Sequence, residues 1–299
     1  MKKIFFLQPS SFCMWVKKSV EELEKILLAH PNEKIYCVHE LVHNPHVNNK
    51  FIEKWVTFVE KIEEINASDA VVTFSAHGIN REIILTAKKQ FTTVYNLECP
   101  LVTKIYNEID AFLKQGIKTF FYIGKPKHQE GQNVMDYIQY IGGELYNFLD
   151  KETLPQINTT SKFAVLSQTT LNFKKIEKLI NVIKEKYPNA QFPPMSDICK
   201  ATYERQETIL QNLDQFEALI VIGWKNSSNT QELVKIWKKY QKATFFAQNK
   251  EEIKKEYENI LQYNTIAVTG GASTPLQDII TIQKLFSKQG YQEAILKLH

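Results

Sequence analysis

A chain of 299 residues is long enough for two or three domains with a sizeable core, which excludes a small disulfide-stapled fold. With 43% hydrophobic and 23% charged residues and only 10 Gly and 10 Pro, the composition is globular, neither disordered nor fibrous. The net charge of +4 is too small to argue for nucleic acid, and the lysines are spread over helix faces such as Lys174 to Lys186, interleaved with Glu.

The chain opens on MKKIFFL, which imitates a signal peptide. Its apolar run, Ile4 to Leu7, ends at Gln8-Pro9 and is too short for a secretory core. No window approaches the length of a membrane span, so the expected compartment is the cytoplasm, where thiols stay reduced. Short runs rich in Val, Ile and Phe then follow one another between helical stretches. The expected strands are Lys3 to Leu7, Lys34 to Val38, Ala70 to Phe74, Thr92 to Tyr95, Lys118 to Ile123, Lys162 to Leu166, Ala218 to Ile222 and Thr265 to Val268. Between them Val16, Val20, Leu23 and Leu27 keep helical spacing, as do Ile176, Leu179, Ile180 and Ile183. This alternation predicts an α/β fold with mainly parallel sheets.

In such sheets ligands bind at the carboxyl ends of the strands. The segments that follow the expected strands read SSFC, HELVHN, SAHG, NLECP, GKPKHQE, SQTT, GWKNSSN and TGGASTP, all rich in groups that bind anions or metals. Asn229 with Glu232, and Thr274 with Pro275 and Gln277, have the spacing of capping boxes, so both loops are expected to open helices. A helix amino end attracts phosphate, and Ser227, Ser228, Asn229 and Ser273 would add side-chain donors beside Gly270 and Gly271. Ordinary capping explains either loop taken alone.

Cys13 and Cys99 each follow a strand and precede a helix, and Cys199 lies just before the helical stretch from about Ala201. That position favours the thiolate that binds metal. Cys37 lies inside the strand IYCV and reads as a small core hydrophobe. Three thiolates suit an iron-sulfur cluster with one iron lacking a protein ligand, or a zinc site completed by water, and spacing alone also allows three unrelated buried cysteines. His39 to His43 spell HELVH, the letters of a zinc-hydrolase motif, but Asn44-Pro45 follows at once and denies the motif its helix. His43, His77 and His128 fall at strand ends. His128 and Glu130, two residues apart, would share one face of extended backbone as an anion donor and a proton source.

Taken together, these residues resemble the 4-hydroxy-3-methylbut-2-enyl diphosphate reductase (LytB-type) family, which ends the methylerythritol phosphate route to isoprenoids. The matches run in order over nearly the whole chain. They are Phe12-Cys13, VHN at Val42 to Asn44, FSAHG at Phe74 to Gly78, CPLVTK at Cys99 to Lys104, and H-x-E at His128 and Glu130. They continue with QTTL at Gln168 to Leu171, DICxAT with RQ at Asp197 to Gln206, KNSSN at Lys225 to Asn229, and GAS at Gly271 to Ser273.

The resemblance implies three similar α/β domains around a central cavity. The first is expected over 14–98 with Cys13 at its start, the second over 99–195 with Cys99 at its start, and the third over 196–299 with Cys199, completed by residues 1–13. It implies a 4Fe–4S cluster on Cys13, Cys99 and Cys199 with one open iron, Glu130 as proton donor and Thr169 beside the substrate hydroxyl. His43, His77, His128, Ser227, Ser228, Asn229 and Ser273 would hold the diphosphate. The expected electron donor is a ferredoxin or flavodoxin, and the expected state is a monomer.

The chain departs from the family pattern at Ser11 and Trp15, where glycines flank the first cysteine. It departs also at Glu98 (usually Thr), Lys125 (usually His) and Trp224 (usually small). These substitutions motivate an alternative in which the protein is a non-catalytic iron-sulfur or phosphate-binding sensor.

Overall fold

A computed structural model of the chain describes residues 2–157 and 160–298. In chain order the elements are β1 (Lys3–Gln8), α1 (Met14–Ala29), β2 (Ile35–Val38), α2 (Pro45–Ile52), β3 (Val56–Val59), β4 (Val71–Phe74), α3 (Arg81–Gln90), β5 (Thr93–Asn96), α4 (Pro100–Lys114) and β6 (Thr119–Ile123). They continue with α5 (Gln129–Tyr140), β7 (Glu144–Phe148), β8 (Phe163–Ser167), α6 (Phe173–Lys186), β9 (Ala190–Gln191), α7 (Lys200–Gln211), β10 (Ala218–Ile222) and α8 (Ser228–Lys239). The last are β11 (Ala243–Ala247), α9 (Lys250–Lys255), α10 (Tyr257–Leu261), β12 (Thr265–Gly270), α11 (Leu276–Ser287) and β13 (Gln292–Lys297).

The fold is α/β, and among the described residues every strand pairing is parallel. The chain divides into two compact units, residues 1–17 with 200–299, and residues 18–199. The first unit is built on one sheet in the order β11-β10-β12-β1-β13; the second carries two sheets, β3-β2-β4-β5 and β7-β6-β8-β9.

In the first unit, alternate residues of each central strand face opposite sides. Ile4, Phe6, Ile220, Ile222 and Val268 pack with Ile279, Ile282 and Phe286 of α11. Phe5, Leu7, Leu219, Val221 and Ala267 pack with Ile209 of α7 and Leu233 and Trp237 of α8. In the second unit Phe120, Tyr122, Ala164 and Leu166 meet α4 and α5 through Ile105, Ile109, Val134 and Ile138. Their neighbours Phe121, Ile123, Phe163 and Val165 meet Ile176, Leu179 and Ile183 of α6. Burying one such side chain is worth about 1.5–3 kcal/mol, so the doubly covered strands are the best-anchored parts of the molecule and hold their carboxyl-end loops rigidly.

All eight expected strands form, with ends displaced by no more than two residues. Five further strands, β3, β7, β9, β11 and β13, were not expected, and each is an edge of its sheet. An edge strand is covered less, so it does not need a continuous apolar run: Gln292–Lys297 alternates exposed and half-buried residues. Cys37 is fully buried in β2, and burial pushes its thiol up to about 12, as suits an inert core residue. Among the described residues, no helix is long and apolar enough to cross a membrane.

Candidate active site

The second unit brings several of the singled-out residues into one run of contacts. Cys199 precedes α7, and its backbone N–H donates to the Thr169 carbonyl at 3.0 Å. Thr169 follows the end of β8, where the chain leaves the sheet. Its own N–H donates to Glu130 Oε1 at 2.6 Å and its hydroxyl to Glu130 Oε2 at 2.9 Å. Both side chains are buried. Burial pushes the Glu130 carboxyl up to about 7; the two bonds from Thr169 pull the other way, and the Asp197 charge adds to the rise. Glu130 is therefore a buried acid able to carry a proton near neutrality.

His128 caps α5, and its Nδ1 accepts from the Glu130 N–H at 3.3 Å. This corrects the expectation of extended backbone: the pair opens a helix, so His128 and Glu130 are joined through the main chain rather than by sharing a strand face. The His128 ring lies edge-on to His43, with centroids 5.1 Å apart, and His43 stacks on His77 at 3.7 Å. Three histidines from three loops thus meet. Burial lowers His128 to about 3, helped by His43 and Lys125, and holds His77 well below the usual range, helped by His43 and His128. Both rings are neutral at physiological pH and present N–H donors rather than cations. The buried Nε2 of His77 and hydroxyl of Ser75 have no hydrogen-bond partner in the structure. A buried polar atom left in this state suits a ligand able to accept from it.

The HELVH segment forms no helix. His39 has φ 63°, and α2 begins at Pro45 with Asn44 as its cap, so His39 and His43 are not set one helical turn apart. This geometry removes the zinc-hydrolase reading. Cys99 caps α4, as expected, and its N–H donates to the Ala76 carbonyl at 3.1 Å, tying it to the loop that bears His77. Asn133 of α5 donates to the Gly78 carbonyl at 2.7 Å, which fixes the same loop from the other side.

The first unit holds the remaining residues in a second run. The Cys13 N–H donates to the Ala272 carbonyl at 3.0 Å, and the Val16 N–H of α1 points at Cys13 Sγ at 3.4 Å. Ala272 N–H donates to Asn229 Oδ1 at 2.9 Å, and Asn229 Nδ2 donates to Thr202 Oγ1 at 3.0 Å. Ser227, Ser228, Asn229 and Ser273 are all buried. The two expected capping boxes are corrected here. Ser227 caps α8, its hydroxyl accepting from Thr230 N–H at 3.3 Å, which releases Asn229 to bridge α7 and the Gly271–Ser273 loop. Pro275 stands at the cap of α11 without a side-chain bond, and the Thr274 hydroxyl donates to Ile222 O at 2.9 Å instead.

Cys13, Cys99 and Cys199 are half-buried and form no disulfide. Among the described residues, no three His, Cys, Asp or Glu side chains are gathered as a site for one metal ion. Several residues that the sequence did not single out do much of the positioning. Arg205, fully buried, donates to the carbonyls of Ala201 at 2.9 Å and Gly270 at 3.2 Å and to that of Ser11. Thr202 and Asn133 belong with it. Arg205 and Thr202 lie inside quoted motifs, but a letter in a motif carries no hint of which carbonyl it reaches; Asn133 lies in none.

The family model described as LytB protein matches residues 4–286. The chain is 31% identical, over 98% of its length and 96% of the relative's, to a 4-hydroxy-3-methylbut-2-enyl diphosphate reductase of Baumannia cicadellinicola. It is 33% identical, over 97% and 91%, to a protein of the same name from Buchnera aphidicola. A solved structure of the E-1-hydroxy-2-methyl-but-2-enyl-4-diphosphate reductase from Plasmodium falciparum shares the fold, with a TM-score of 0.89 at 24% identity over 99% of this chain and 92% of that one.

Proposed function

The chain belongs to the LytB protein family, and from that premise we propose that it reductively removes the hydroxyl group of 4-hydroxy-3-methylbut-2-enyl diphosphate, giving isopentenyl and dimethylallyl diphosphate. The observation that carries the reading is the unbroken run from Cys199 through Thr169 and Glu130 to the stacked histidines. It joins a candidate metal ligand, a proton carrier and a set of anion donors within one unit.

In the reaction the allylic C–O bond breaks, and two electrons and two protons enter. One proton leaves with the hydroxyl oxygen as water, and the other joins carbon. We assign a 4Fe–4S cluster to Cys13, Cys99 and Cys199; when bound it supplies electrons and one iron without a protein ligand. Such a cluster takes each thiolate on a different iron, so it does not require the three sulfurs to share one ion, and the donor set suits it.

Glu130 holds the proton delivered toward the substrate hydroxyl, and Thr169, bonded to both carboxyl oxygens, fixes its orientation. His43, His77 and His128 donate to the diphosphate, His77 and His128 as neutral imidazoles. Ser227, Ser228, Asn229 and Ser273 add donors at the amino end of α8 and in the Gly271–Ser273 loop, a set that binds diphosphate without magnesium.

The same proposal includes division into domains over 14–98, 99–195 and 196–299 with 1–13, a cytoplasmic monomer, and a small ferredoxin or flavodoxin as electron donor. Metal content tests the cluster: protein reconstituted without oxygen is expected to be brown with about four irons per chain. Colourless, iron-free protein after reconstitution overturns it.

A further inference from the structure

The Cys199 segment reaches α7 through residues 192–198, a stretch with no helix or strand of its own. A loop of this kind loses its definition unless something outside it holds it, because each unrestrained residue keeps backbone freedom worth roughly 1–2 kcal/mol. Part of that restraint comes from one side chain. Lys104 lies on α4, the helix that Cys99 caps, and its ammonium reaches the loop at three points: Asp197 Oδ1 at 2.9 Å, the Met195 carbonyl at 3.2 Å and the Ser196 carbonyl at 3.4 Å. Glu108, one turn further along α4, forms an ion pair with the same ammonium at 2.8 Å.

Asp197 is buried, and its other oxygen accepts from the Ser167 N–H at 2.8 Å. Two residues on, the Cys199 N–H meets the Thr169 carbonyl. The loop is therefore pinned along the end of β8 at Asp197 and Cys199, and cross-tied to α4 by Lys104.

We propose that Lys104 is a positioning residue for the cofactor, setting the placement of the Cys199 segment against the helix that begins at Cys99. The inference rests on the cluster assigned to these cysteines under the proposed function. Lys104 is partly exposed while Asp197 is buried, and such a pair contributes little net stability against an apolar pair of the same shape. The role of the tie is therefore geometric: three bonds from one ammonium specify where two candidate ligand segments stand.

The test compares the full-length parent with Lys104→Met, which keeps the length of the aliphatic stem, and Lys104→Arg, which keeps the charge. Each is reconstituted anaerobically with iron and sulfide, and three quantities are read: the rate of bleaching by an iron chelator, the spectrum of the reduced cluster, and the thermal midpoint of the metal-free protein. In Lys104→Met, bleaching is expected to quicken on the order of tenfold or more, in the range seen when an outer partner of a metal ligand is lost. The reduced spectrum is expected to change, the metal-free midpoint to fall because Asp197 is left buried without its cation, and Lys104→Arg to recover part of the bleaching and spectral effects.

A loaded parent whose bleaching and spectrum are reproduced by Lys104→Met overturns the inference alone. Quicker bleaching that only accompanies the fall in the metal-free midpoint, with the reduced spectrum unchanged and no recovery in Lys104→Arg, also overturns it, because the residue would then be merely structural. A parent that takes up no cluster overturns both this inference and the cofactor assignment beneath it.

Discussion

Glu130 is held by two opposing influences, burial that favours the neutral acid and two Thr169 bonds that favour the anion, and burial prevails. With the carboxyl pushed up to about 7, the proton that the proposed mechanism assigns to Glu130 is present below that pH and lost above it. Turnover by the loaded enzyme is expected to be flat in mild acid and to fall about tenfold per pH unit above about 7. Glu130→Gln is expected to keep cluster and diphosphate binding and to lose on the order of 10²–10⁴ of the turnover, since only the proton supply is removed. Unchanged turnover would assign the proton to another group.

His128 shows the opposite shift. Its folded value of about 3 lies below the ordinary 6.5, so the unfolded chain takes up a proton that the folded chain refuses. The stability this histidine contributes is complete above about pH 6.5 and is lost as the pH falls from there toward 3. His128→Asn keeps a capping acceptor and removes the titration. Urea unfolding near pH 7.5 and near pH 5 should therefore differ less in His128→Asn than in the parent; an equal difference contradicts the neutral, buried ring.

At this scale the sequence was informative where chemistry is local. Cys37 reads as core because its neighbours read as a strand, and Cys13 and Cys99 read as helix starts because a strand ends just before each. The link between His128 and Glu130 was misread, since whether a loop residue ends a strand or caps a helix depends on where the next turn closes.

Among the elements, the loop after β4 is closely fitted at one glycine. Gly78 has φ +80°, and a Cβ there would lie 2.4 Å from Glu98 Oε1 and 2.6 Å from Val102 Cγ1. Gly116 has the same φ, yet nothing lies within 4 Å of its would-be Cβ. Gly116→Ala is expected to cost about 1 kcal/mol, the strain of the backbone alone. Gly78→Ala adds overpacking of about 1–3 kcal/mol and displaces the loop that holds His77. Thermal midpoints check the pair, and equal shifts would contradict the close fit.

Glu98, one of the departures from the family pattern, is the neighbour that fills this space, and the Thr103 hydroxyl bonds it at 2.7 Å. Burial raises its carboxyl above the ordinary range. The central strands were legible because burial on both faces demands unbroken apolar runs, as in Ala218–Ile222. The edge strands were not, because half-covered strands such as Gln292–Lys297 mix Gln, Glu and Lys with apolar residues. Cap positions were misplaced by one or two residues for a related reason: in SSNT, several side chains are chemically fit to cap, and only the backbone selects Ser227.

In the molecule as a whole, three parallel sheets place the informative loops after the carboxyl ends of their strands, and that much follows from the alternation of elements. Which distant loops meet does not follow from alternation. The stacking of His43 on His77 and the reach of Lys104 to Asp197 are products of tertiary packing. No periodicity encodes them: the position of His43, His77 and His128 at strand ends pointed to a site, but not to which of these side chains touch.

The assignment of a reductase gathers the separate pieces into one demand: the loaded protein must carry out a two-electron dehydroxylation. The most direct measurement is anaerobic turnover of 4-hydroxy-3-methylbut-2-enyl diphosphate by the reconstituted full chain with a reduced one-electron dye, with products separated and identified. Isopentenyl and dimethylallyl diphosphate, formed with two electrons consumed per molecule, are the predicted result. A protein that carries the cluster and binds the diphosphate, yet leaves it unchanged under reducing conditions, would contradict the account and identify the chain as a sensor built on the same fold.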